Sequence, residues 1–514
     1  MKLTFIHIVI FLSLTFSISA QLEVTNLHYR NDTLGQSFEL NSSIHSSVKP
    51  YIIGKPYKYM ADKLTLLFLG KNLNGLKDRC GGIYETNSEL KIYPISNLSS
   101  GLDNTKNLIY DLGLGLGLDY IRKNLYLSVK YLPTYSKNNY FNDSIIEFNS
   151  VYPGKGQKMI DNMYQNIDII GAYKINKFFT VLGGHSKNFF GDGYRSLLLS
   201  DNASSNPFFK LETSFASIKY VNLFQVLKDI YQIPGQQSAN AIKYSASHYL
   251  SWNITKEFNL SIFETVIMQG KDSLSDRGFD INYLNPFVFY RPVEYASGSA
   301  DNVLLGLSMS YKTRKNHQFY YQLILDEFLL AEIKSDKNWW ANKYGMQLGI
   351  KANHFGIKNL YAQVEYNFVR PFTYSHKHTA QNYGQMNQAL AHPIGANFHE
   401  LLGIVSYKKG KHQFTNKTTY TAYGTDTSAV NYGQNIFHSY TDRKGEYGHE
   451  TMQGLKTNVI TNQLIYEYAL VPNINIFAFA RYNYRFQIND NGIQNNHVFQ
   501  IGIKSRIWNN YSDY

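Results

Sequence analysis

Apolar and polar residues alternate with a period of two along much of this chain. The clearest example, at 111–120, combines an apolar set with a small or polar set: Leu112, Leu114, Leu116 and Leu118 against Gly113, Gly115, Gly117 and Asp119. Successive side chains of a β-strand point to opposite faces, so this segment predicts a strand with one apolar face. Because the glycines lie inside the strand rather than between a strand and a helix, they do not predict a phosphate-binding loop.

Short turns join such strands in pairs. The alternation that ends near Arg122 resumes at Leu125 after only Lys123 and Asn124. Turns of the same kind occur at 122–124, 175–177, 255–257, 314–316, 355–357, 409–411 and 471–473. These turns predict hairpins, and therefore fourteen strands.

Long polar segments separate these hairpins, at 133–165, 185–208, 269–301, 328–342, 370–397 and 422–455. Short turns on one rim and long loops on the other are typical of an outer-membrane β-barrel, whose long loops face outside. Further strands at 83–95, 209–221 and 497–508 give seventeen. Two periplasmic termini require an even number, so one more strand is expected between 222 and 245, within 230–243. The prediction is an all-β transmembrane antiparallel barrel of about 18 strands, with sixteen as the main alternative.

The beginning of the chain resembles an export signal. Met1 and Lys2 precede an apolar run that ends at Phe16, and small residues lead to Ala20. We predict a signal peptide at 1–20, an N-terminal periplasmic segment with short helices at 21–82, and the barrel at 83–514. An uncleaved anchor is the alternative, but the apolar run is shorter than the roughly 20 residues of a spanning helix. At the other end, Tyr514 follows an amphipathic strand, as expected for recognition by the outer-membrane insertion machinery.

Composition agrees with a barrel in lipid. Aromatic residues make up 15 % of the chain, with 43 Tyr and 32 Phe, and charged residues only 17 %, whereas about 25 % is usual for soluble domains. Cys80 is the single cysteine, so no internal disulfide can form. The net charge of +12 is spread over turns and loops, which favours weak attraction to anionic headgroups or acidic sugars and not a nucleic-acid partner.

No motif predicts catalysis. His376 and His378 lie together in a long segment, but no further ligand stands at metal-binding spacing. The sequence around Ser308 lacks the second glycine of a hydrolase nucleophile elbow. We therefore expect no enzyme activity, cofactor or metal.

The long segments combine arginine, aromatic and polar residues, which suits sugar binding because aromatic faces stack on sugar rings and Arg, Asp and Asn bond hydroxyls or uronates. The candidates are Tyr194, Arg195, Asp201, Asn202, Arg291, Glu294, Tyr295, Arg370 and Tyr374. The alternative is that the same residues pair with one another and plug the lumen.

Several segments as a set resemble the Wzi-like capsule assembly family, in its Bacteroidetes branch that includes RemB-type gliding-motility outer-membrane proteins. They are 190–202, 247–253, 285–295, 325–328, 339–345 and 390–397. These motifs add Trp339, Trp340 and His392 to the candidate polysaccharide-binding residues. The resemblance implies an eighteen-stranded, lectin-like barrel with a narrowed lumen that holds exported capsular polysaccharide. The helical bundle of enterobacterial members is not expected, because 21–80 offers helical periodicity only at 57–73.

Three functions follow as hypotheses. The first is attachment of capsular or surface polysaccharide at the bacterial outer membrane, with that polysaccharide and membrane lipid as partners. The second is a gliding-motility or adhesin-associated protein that binds a surface protein partner. The third is a passive porin.

Overall fold

Eighteen antiparallel strands close into one barrel in the part of the chain that the structure describes. The structure is a computed structural model that describes residues 23–25, 44–53, 84–85, 88–137, 151–152, 156–160, 162–231, 239–271, 277–286, 301–313, 317–427, 430–509 and 511. Each barrel strand pairs with its neighbours in sequence, and the last strand pairs with the first, from Val498 opposite Asp103 to Lys504 opposite Asn97. Closure removes the unpaired edges that a bilayer could not solvate.

The barrel strands are numbered in chain order. They are β1 (Ser88–Asp103), β2 (Leu108–Arg122), β3 (Leu125–Lys137), β4 (Met163–Lys174), β5 (Phe179–Ser186), β6 (Asn206–Phe215), β7 (Ile218–Tyr231), β8 (Ala239–Asn253), β9 (Phe258–Gln269), β10 (Asn302–Lys312), β11 (His317–Leu325), β12 (Tyr344–Asn353), β13 (Leu360–Val369), β14 (Phe398–Lys409), β15 (His412–Thr425), β16 (Leu455–Val471), β17 (Ile476–Asn489) and β18 (Gly492–Ser505).

Short elements lie outside this wall. A hairpin of Val151–Tyr152 and Gly156–Ile160 pairs with the upper end of β4, and Gly384–Gln385 forms a second hairpin with Gln388–Ala389. A 3-10 turn covers Ile281–Leu284 and a single α-helical turn covers Leu330–Lys334. No helix among the described residues is long and apolar enough to cross a membrane.

The two faces of the wall follow the alternation of the sequence. On β2, Leu112, Leu114 and Leu116 are 53 %, 66 % and 56 % exposed on the outside. On the inside, a Cβ at Gly117 would lie 2.3 Å from the Tyr93 ring, so this face has room only for glycine. The outer leucines belong to an apolar belt that a bilayer would cover.

The predicted strand number is confirmed, and the seven predicted turns fall between the predicted strand pairs, with 314–316 itself outside the described residues. The position of the additional strand is wrong. It is β7 (Ile218–Tyr231), not 230–243, because the predicted strand 209–221 is in fact two strands joined by Ala216 and Ser217. The alternation runs through this turn without Gly, Pro or Asn, and Ala216 itself adopts a φ of 51°.

Two strand ends also differ from the prediction. The first barrel strand continues to Asp103 instead of ending near 95, and the last spans Gly492–Ser505 instead of 497–508. In both places polar residues on the lumen face made the strand resemble a loop. The signal peptide at 1–20, the helix expected at 57–73, Cys80 and Tyr514 lie outside the described residues.

Chain segments occupy the barrel lumen. The segment 187–205 leaves the wall after β5, and its Phe189–Phe190 pairs with Val48–Lys49 from the N-terminal region. Leu197, Leu198 and Leu199 are almost fully buried in a core that they share with lumen-facing side chains of the wall. Part of the predicted N-terminal periplasmic segment, 44–53, thus lies inside the barrel.

Candidate functional site

Arg195 and His392 meet at the carboxylate of Glu400 in the centre of the lumen. Arg195 Nη2 lies 3.1 Å and His392 Nε2 lies 2.8 Å from the Glu400 oxygens, and all three side chains are fully buried. Asn367 donates to the same carboxylate at 3.0 Å. A buried ion pair needs this degree of hydrogen bonding to offset its desolvation. The contacts fix the segment 187–205 to the wall.

The C-terminal tail joins this cluster after it turns from β18 back into the lumen. The Tyr511 hydroxyl donates to Asp201 at 2.6 Å, and its oxygen lies 3.0 Å from the backbone oxygen of Tyr194. The Arg195 guanidinium lies 4.9 Å from the centre of the Tyr511 ring and 5.1 Å from that of Tyr194. Burial beside the Asp201 carboxylate raises the pKa of Tyr511 well above its usual range. The hydroxyl therefore keeps its proton and acts as a donor.

Tyr374 and Asn202 are also held by internal contacts. The Tyr374 hydroxyl donates to the backbone oxygen of Leu197 at 2.8 Å, and its side chain is fully buried. Asn202 Nδ2 donates to the oxygen of Ala389 at 3.1 Å. Together these bonds connect the segment 187–205 to the segment 370–397.

A separate cluster, formed by Trp339, Trp340 and Arg370, lies near the rim with the long connections. Trp340 Nε1 donates to Glu446 at 2.8 Å, and the Arg443 guanidinium lies 4.0 Å from the ring centre. Arg370 donates to the backbone oxygens of Trp339 and His449. The remaining candidates, Arg291, Glu294 and Tyr295, lie outside the described residues.

The predicted site residues therefore do not form one surface. The structure brings Tyr194, Arg195, Asp201 and His392 together in the buried core of the lumen, and it places the two tryptophans in the rim cluster. The contacts of these side chains are with other residues of the protein, as in the alternative prediction that they pair with one another in the lumen. A direct role in sugar binding stays a prediction.

A polar cleft of about 250 Å³ lies between the upper ends of β4, β5, β6 and β7. It is lined by Gly156, Gln157, Gln165, Asn166, Ile167, His185, Lys187, Asn202, Ser204, Ser205, Pro207, Val226, Lys228, Gln385, Met386, Gln388 and Trp508. Amide and hydroxyl side chains dominate this lining, and one aromatic ring completes it. Such a mixture of donors, acceptors and an aromatic face suits a sugar.

Hydrogen bonds fix the walls of this cleft. Gln388 Oε1 accepts from the Ser204 amide at 2.9 Å, and Gln385 Oε1 accepts from the Lys228 amide at 2.6 Å. Trp508 Nε1 donates to Asp168 Oδ2 at 3.2 Å, which orients the indole beneath the cleft. The groups are thus arranged before any ligand arrives, and this lowers the entropic cost of binding.

The charged residues that line the cleft are basic. They are Lys187 and Lys228, and the described lining residues include no Asp or Glu. Lys187 Nζ donates to the backbone oxygen of Asp201 at 2.8 Å; burial lowers its pKa, while the Asp201 and Asp168 carboxylates act in the opposite direction. The cleft therefore favours neutral or acidic sugars over basic ligands.

Sequence patterns pointed to only one residue of this cleft, Asn202. Trp508 follows the last strand. Tryptophan is rare in this chain, with 4 in total, and this rarity was the one sequence feature that could have marked Trp508 as a binding residue. The amides of Gln165 and Gln388 come from strand and hairpin positions that are distant in sequence, so no local pattern could join them. Within the described residues, no three His, Cys, Asp or Glu side chains are grouped to hold a metal ion.

Comparison with known proteins agrees with the fold. The chain matches no protein-family model and no curated protein. Among solved structures it is similar to Wzi of Escherichia coli, described as an outer-membrane protein involved in group 1 capsule assembly and a carbohydrate-binding β-barrel. The TM-score is 0.55 at 12 % identity, over 93 % of this chain and 98 % of that chain.

Other similar structures are outer-membrane proteins of Pseudomonas aeruginosa. OprD aligns with a TM-score of 0.43 at 9 % identity over 82 % of this chain and 96 % of that chain. OccD3 aligns with 0.44 at 9 % identity over 82 % and 93 %. The closed eighteen-strand barrel, its apolar belt and its likeness to Wzi identify an outer-membrane barrel of the bacterial cell envelope.

Proposed function

We propose that this protein binds a capsular or surface polysaccharide at the bacterial outer membrane, as a Wzi-like capsule assembly protein without catalytic activity. The observation that carries the proposal is the polar cleft, with Trp508 beneath an array of amide, hydroxyl and basic groups. The relation to the Bacteroidetes branch with RemB-type motility proteins is part of the same proposal and is supported by the sequence motifs given above.

The cleft supplies the contacts that sugar recognition needs. Gln157, Gln165 and Gln388 can each donate and accept hydrogen bonds, and each hydroxyl of a sugar can do the same. The Trp508 ring offers an apolar face for the C–H side of a sugar ring. Lys187 and Lys228 add attraction for a carboxylate, so we infer that the polysaccharide contains acidic residues.

Equilibrium binding tests this proposal. Purified protein in detergent is titrated with surface polysaccharide from its own organism, together with Trp508→Ala and a matched control, Trp252→Ala, whose side chain is 41 % exposed on β8. We expect saturable binding, weakened at least about ten-fold, or about 1.4 kcal/mol, by Trp508→Ala and unchanged by Trp252→Ala. Absence of binding by the unmodified protein contradicts the proposal.

Salt dependence tests the acidic character of the ligand. Raising ionic strength screens the attraction between Lys228, which is exposed at the cleft edge, and a carboxylate. Lys228→Gln is expected to lower both the affinity and its dependence on salt. The control Lys358→Gln alters an exposed lysine in the turn between β12 and β13 and leaves both unchanged.

A second candidate function is binding of a surface protein in motility or adhesion. One observation favours it: the helical turn between β11 and β12 exposes Phe328, Leu329, Leu330 and Ile333 by 41 to 54 %. Apolar side chains grouped in this way often mark an interaction site. Stoichiometric co-purification of one surface protein, lost in Leu330→Asp, supports this candidate.

A further inference from the structure

Two barrel strands stop short beside the polar cleft. β5 and β6 contain 8 and 10 residues, whereas their outer neighbours β4 and β7 contain 12 and 14. Pairing of β4 with β5 begins at Ile169, and pairing of β6 with β7 ends at Gln225. β4 continues from there to Met163 and β7 to Tyr231, about 20 Å each at about 3.3 Å per residue.

The gap between these two strands is closed from above. The hairpin strand Gly156–Ile160 pairs with β4 at Met163, Tyr164 and Gln165. Among the described residues, the gap therefore has β4 at 166–168 on one side, β7 at 226–231 on the other, the hairpin above and the ends of β5 and β6 below. We call this opening the lateral window. Three strand spacings of about 4.8 Å separate β4 from β7 by roughly 14 Å.

The lateral window leads into the polar cleft and not into an open channel. The lumen hairpin of Gly384–Gln385 and Gln388–Ala389 occupies the β7 side of the window, because the Met386 amide donates to the Lys228 backbone oxygen at 2.8 Å and Gln385 accepts from the Lys228 amide. Residues from all sides of the window line the cleft, among them Ile167, Pro207 and Val226. The cleft thus has an entrance through the barrel wall.

The height of the window corresponds to the outer part of the membrane. Tyr131 and Tyr135 of β3 stand opposite Ile167 and Met163 of β4 and are 38 % and 37 % exposed on the outer face. Tyr135 stacks on Tyr110 with ring centres 6.0 Å apart. Exposed tyrosines of this kind mark the membrane–water interface of barrels. The window therefore opens at the level of the outer leaflet.

Apolar side chains continue the wall below the window. Ile169 and Phe209 are 41 % and 48 % exposed, and Val129 on the adjacent strand is 43 % exposed. A molecule with acyl chains could lie against these residues while its polar part enters the cleft. The polar cleft and the apolar wall below it together match an amphipathic ligand.

We propose that the ligand enters sideways from the membrane, and that it is a glycolipid of the outer leaflet whose acidic saccharide occupies the polar cleft. This inference rests on the proposed polysaccharide-binding function and specifies its substrate class. A lipid-linked glycan can reach the cleft through the lateral window without leaving the bilayer. Its acyl chains remain against Ile169 and Phe209.

Photo-cross-linking in nanodiscs tests this entry route. The probe is lipopolysaccharide extracted from the producing cells, and the competitor is the water-soluble polysaccharide that mild acid releases from it. A photoreactive phenylalanine analogue replaces Val226 or Ile167 at the window. The matched control is Leu401 of β14, which is 49 % exposed on the outer face and stands opposite the exposed tyrosines Tyr366 and Tyr420, away from the window.

We expect lipopolysaccharide adducts at positions 226 and 167 at least five-fold above position 401, suppressed by Trp508→Ala. If the released polysaccharide binds the cleft but adducts at 226 and 167 equal those at 401, lateral entry is wrong while glycan binding stands. If neither the lipopolysaccharide nor the released polysaccharide binds, both the entry route and the proposed function fail.

Discussion

At the scale of single residues, burial decides what a polar side chain can do. Arg195 was predicted from the sequence to bind sugar, yet its guanidinium is fully buried and paired with Glu400. Trp508, which no motif marked, lines the cleft. The sequence indicated which kinds of side chain the protein offers to a ligand, but not where each side chain lies. Its location depends on which segments enter the lumen.

Arg195→Ala is expected to destabilise the protein by about 3–5 kcal/mol, because it leaves the Glu400 carboxylate buried without its cation. The double variant Arg195→Met with Glu400→Leu removes both charges and is expected to recover part of that loss. Guanidinium unfolding in detergent measures both. An unchanged stability for Arg195→Ala would contradict the assigned structural role.

Gly115→Ala is expected to destabilise the barrel by more than about 1 kcal/mol, since an added Cβ would lie 2.0 Å from the backbone oxygen of Tyr131. The control Gly403→Ala, on β14, has open space around its Cβ and is expected to be neutral or slightly stabilising. Thermal unfolding compares the two variants. Equal effects would show that the glycine face of β2 is not a packing requirement.

At the scale of elements, the alternation predicted strands and tight turns well, because strand period and turn chemistry are local. It failed at Ala216, where the turn contains no residue that favours one, and it shortened β1, whose polar lumen face resembled a loop. The long segments 185–208 and 370–397 were predicted to face outside, and this is wrong for 187–205 and 370–397, which fold into the lumen. Their positions inside the lumen depend on contacts such as Asn202 with Ala389, which join residues far apart in sequence.

The segment 370–397 is expected to loosen in acid. Burial and the nearby Lys343 lower the pKa of His376 to about 4, against about 6.5 for the released segment. Stability from neutral His376 is complete above pH 6.5 and is lost as pH falls from 6.5 to 4, because the released state binds the proton first. The loss is on the order of 2–3 kcal/mol.

Amide hydrogen exchange at 372–383, corrected for intrinsic rates, measures this effect at pH 7 and pH 5. Exchange is expected to accelerate at pH 5 in the unmodified protein and to change much less in His376→Gln, which cannot take up the proton. Equal acceleration in both proteins would contradict a role for His376.

At the scale of the whole molecule, chain segments fill the lumen of the barrel. Segments from the N-terminal region and from the long connections share one core inside it, and the C-terminal tail joins them through the hydrogen bond from Tyr511 to Asp201. The polar cleft lies where this filling meets the shortened strands β5 and β6. The number of strands could be predicted from the sequence. Which segments fill the lumen and where the lateral window lies could not, because both depend on strand register and on contacts between residues far apart in sequence.

The filled lumen predicts little ion flow. In planar bilayers the unmodified protein is expected to show no stable conductance of porin size. Arg195→Ala, which loosens the segment 187–205, is expected to add brief openings. Steady open-channel conductance of the unmodified protein would support a porin and contradict the internal contacts described here.

The central claim, that polysaccharide occupies the cleft beside Trp508, is tested most directly by tryptophan fluorescence. The variant Trp252→Phe, Trp339→Phe, Trp340→Phe keeps Trp508 as the only indole. Titration with surface polysaccharide is expected to shift its emission saturably. The midpoint of this shift is expected to equal the midpoint of binding measured independently by calorimetry. Saturable binding by calorimetry without any change in Trp508 emission would place the ligand elsewhere and contradict the account.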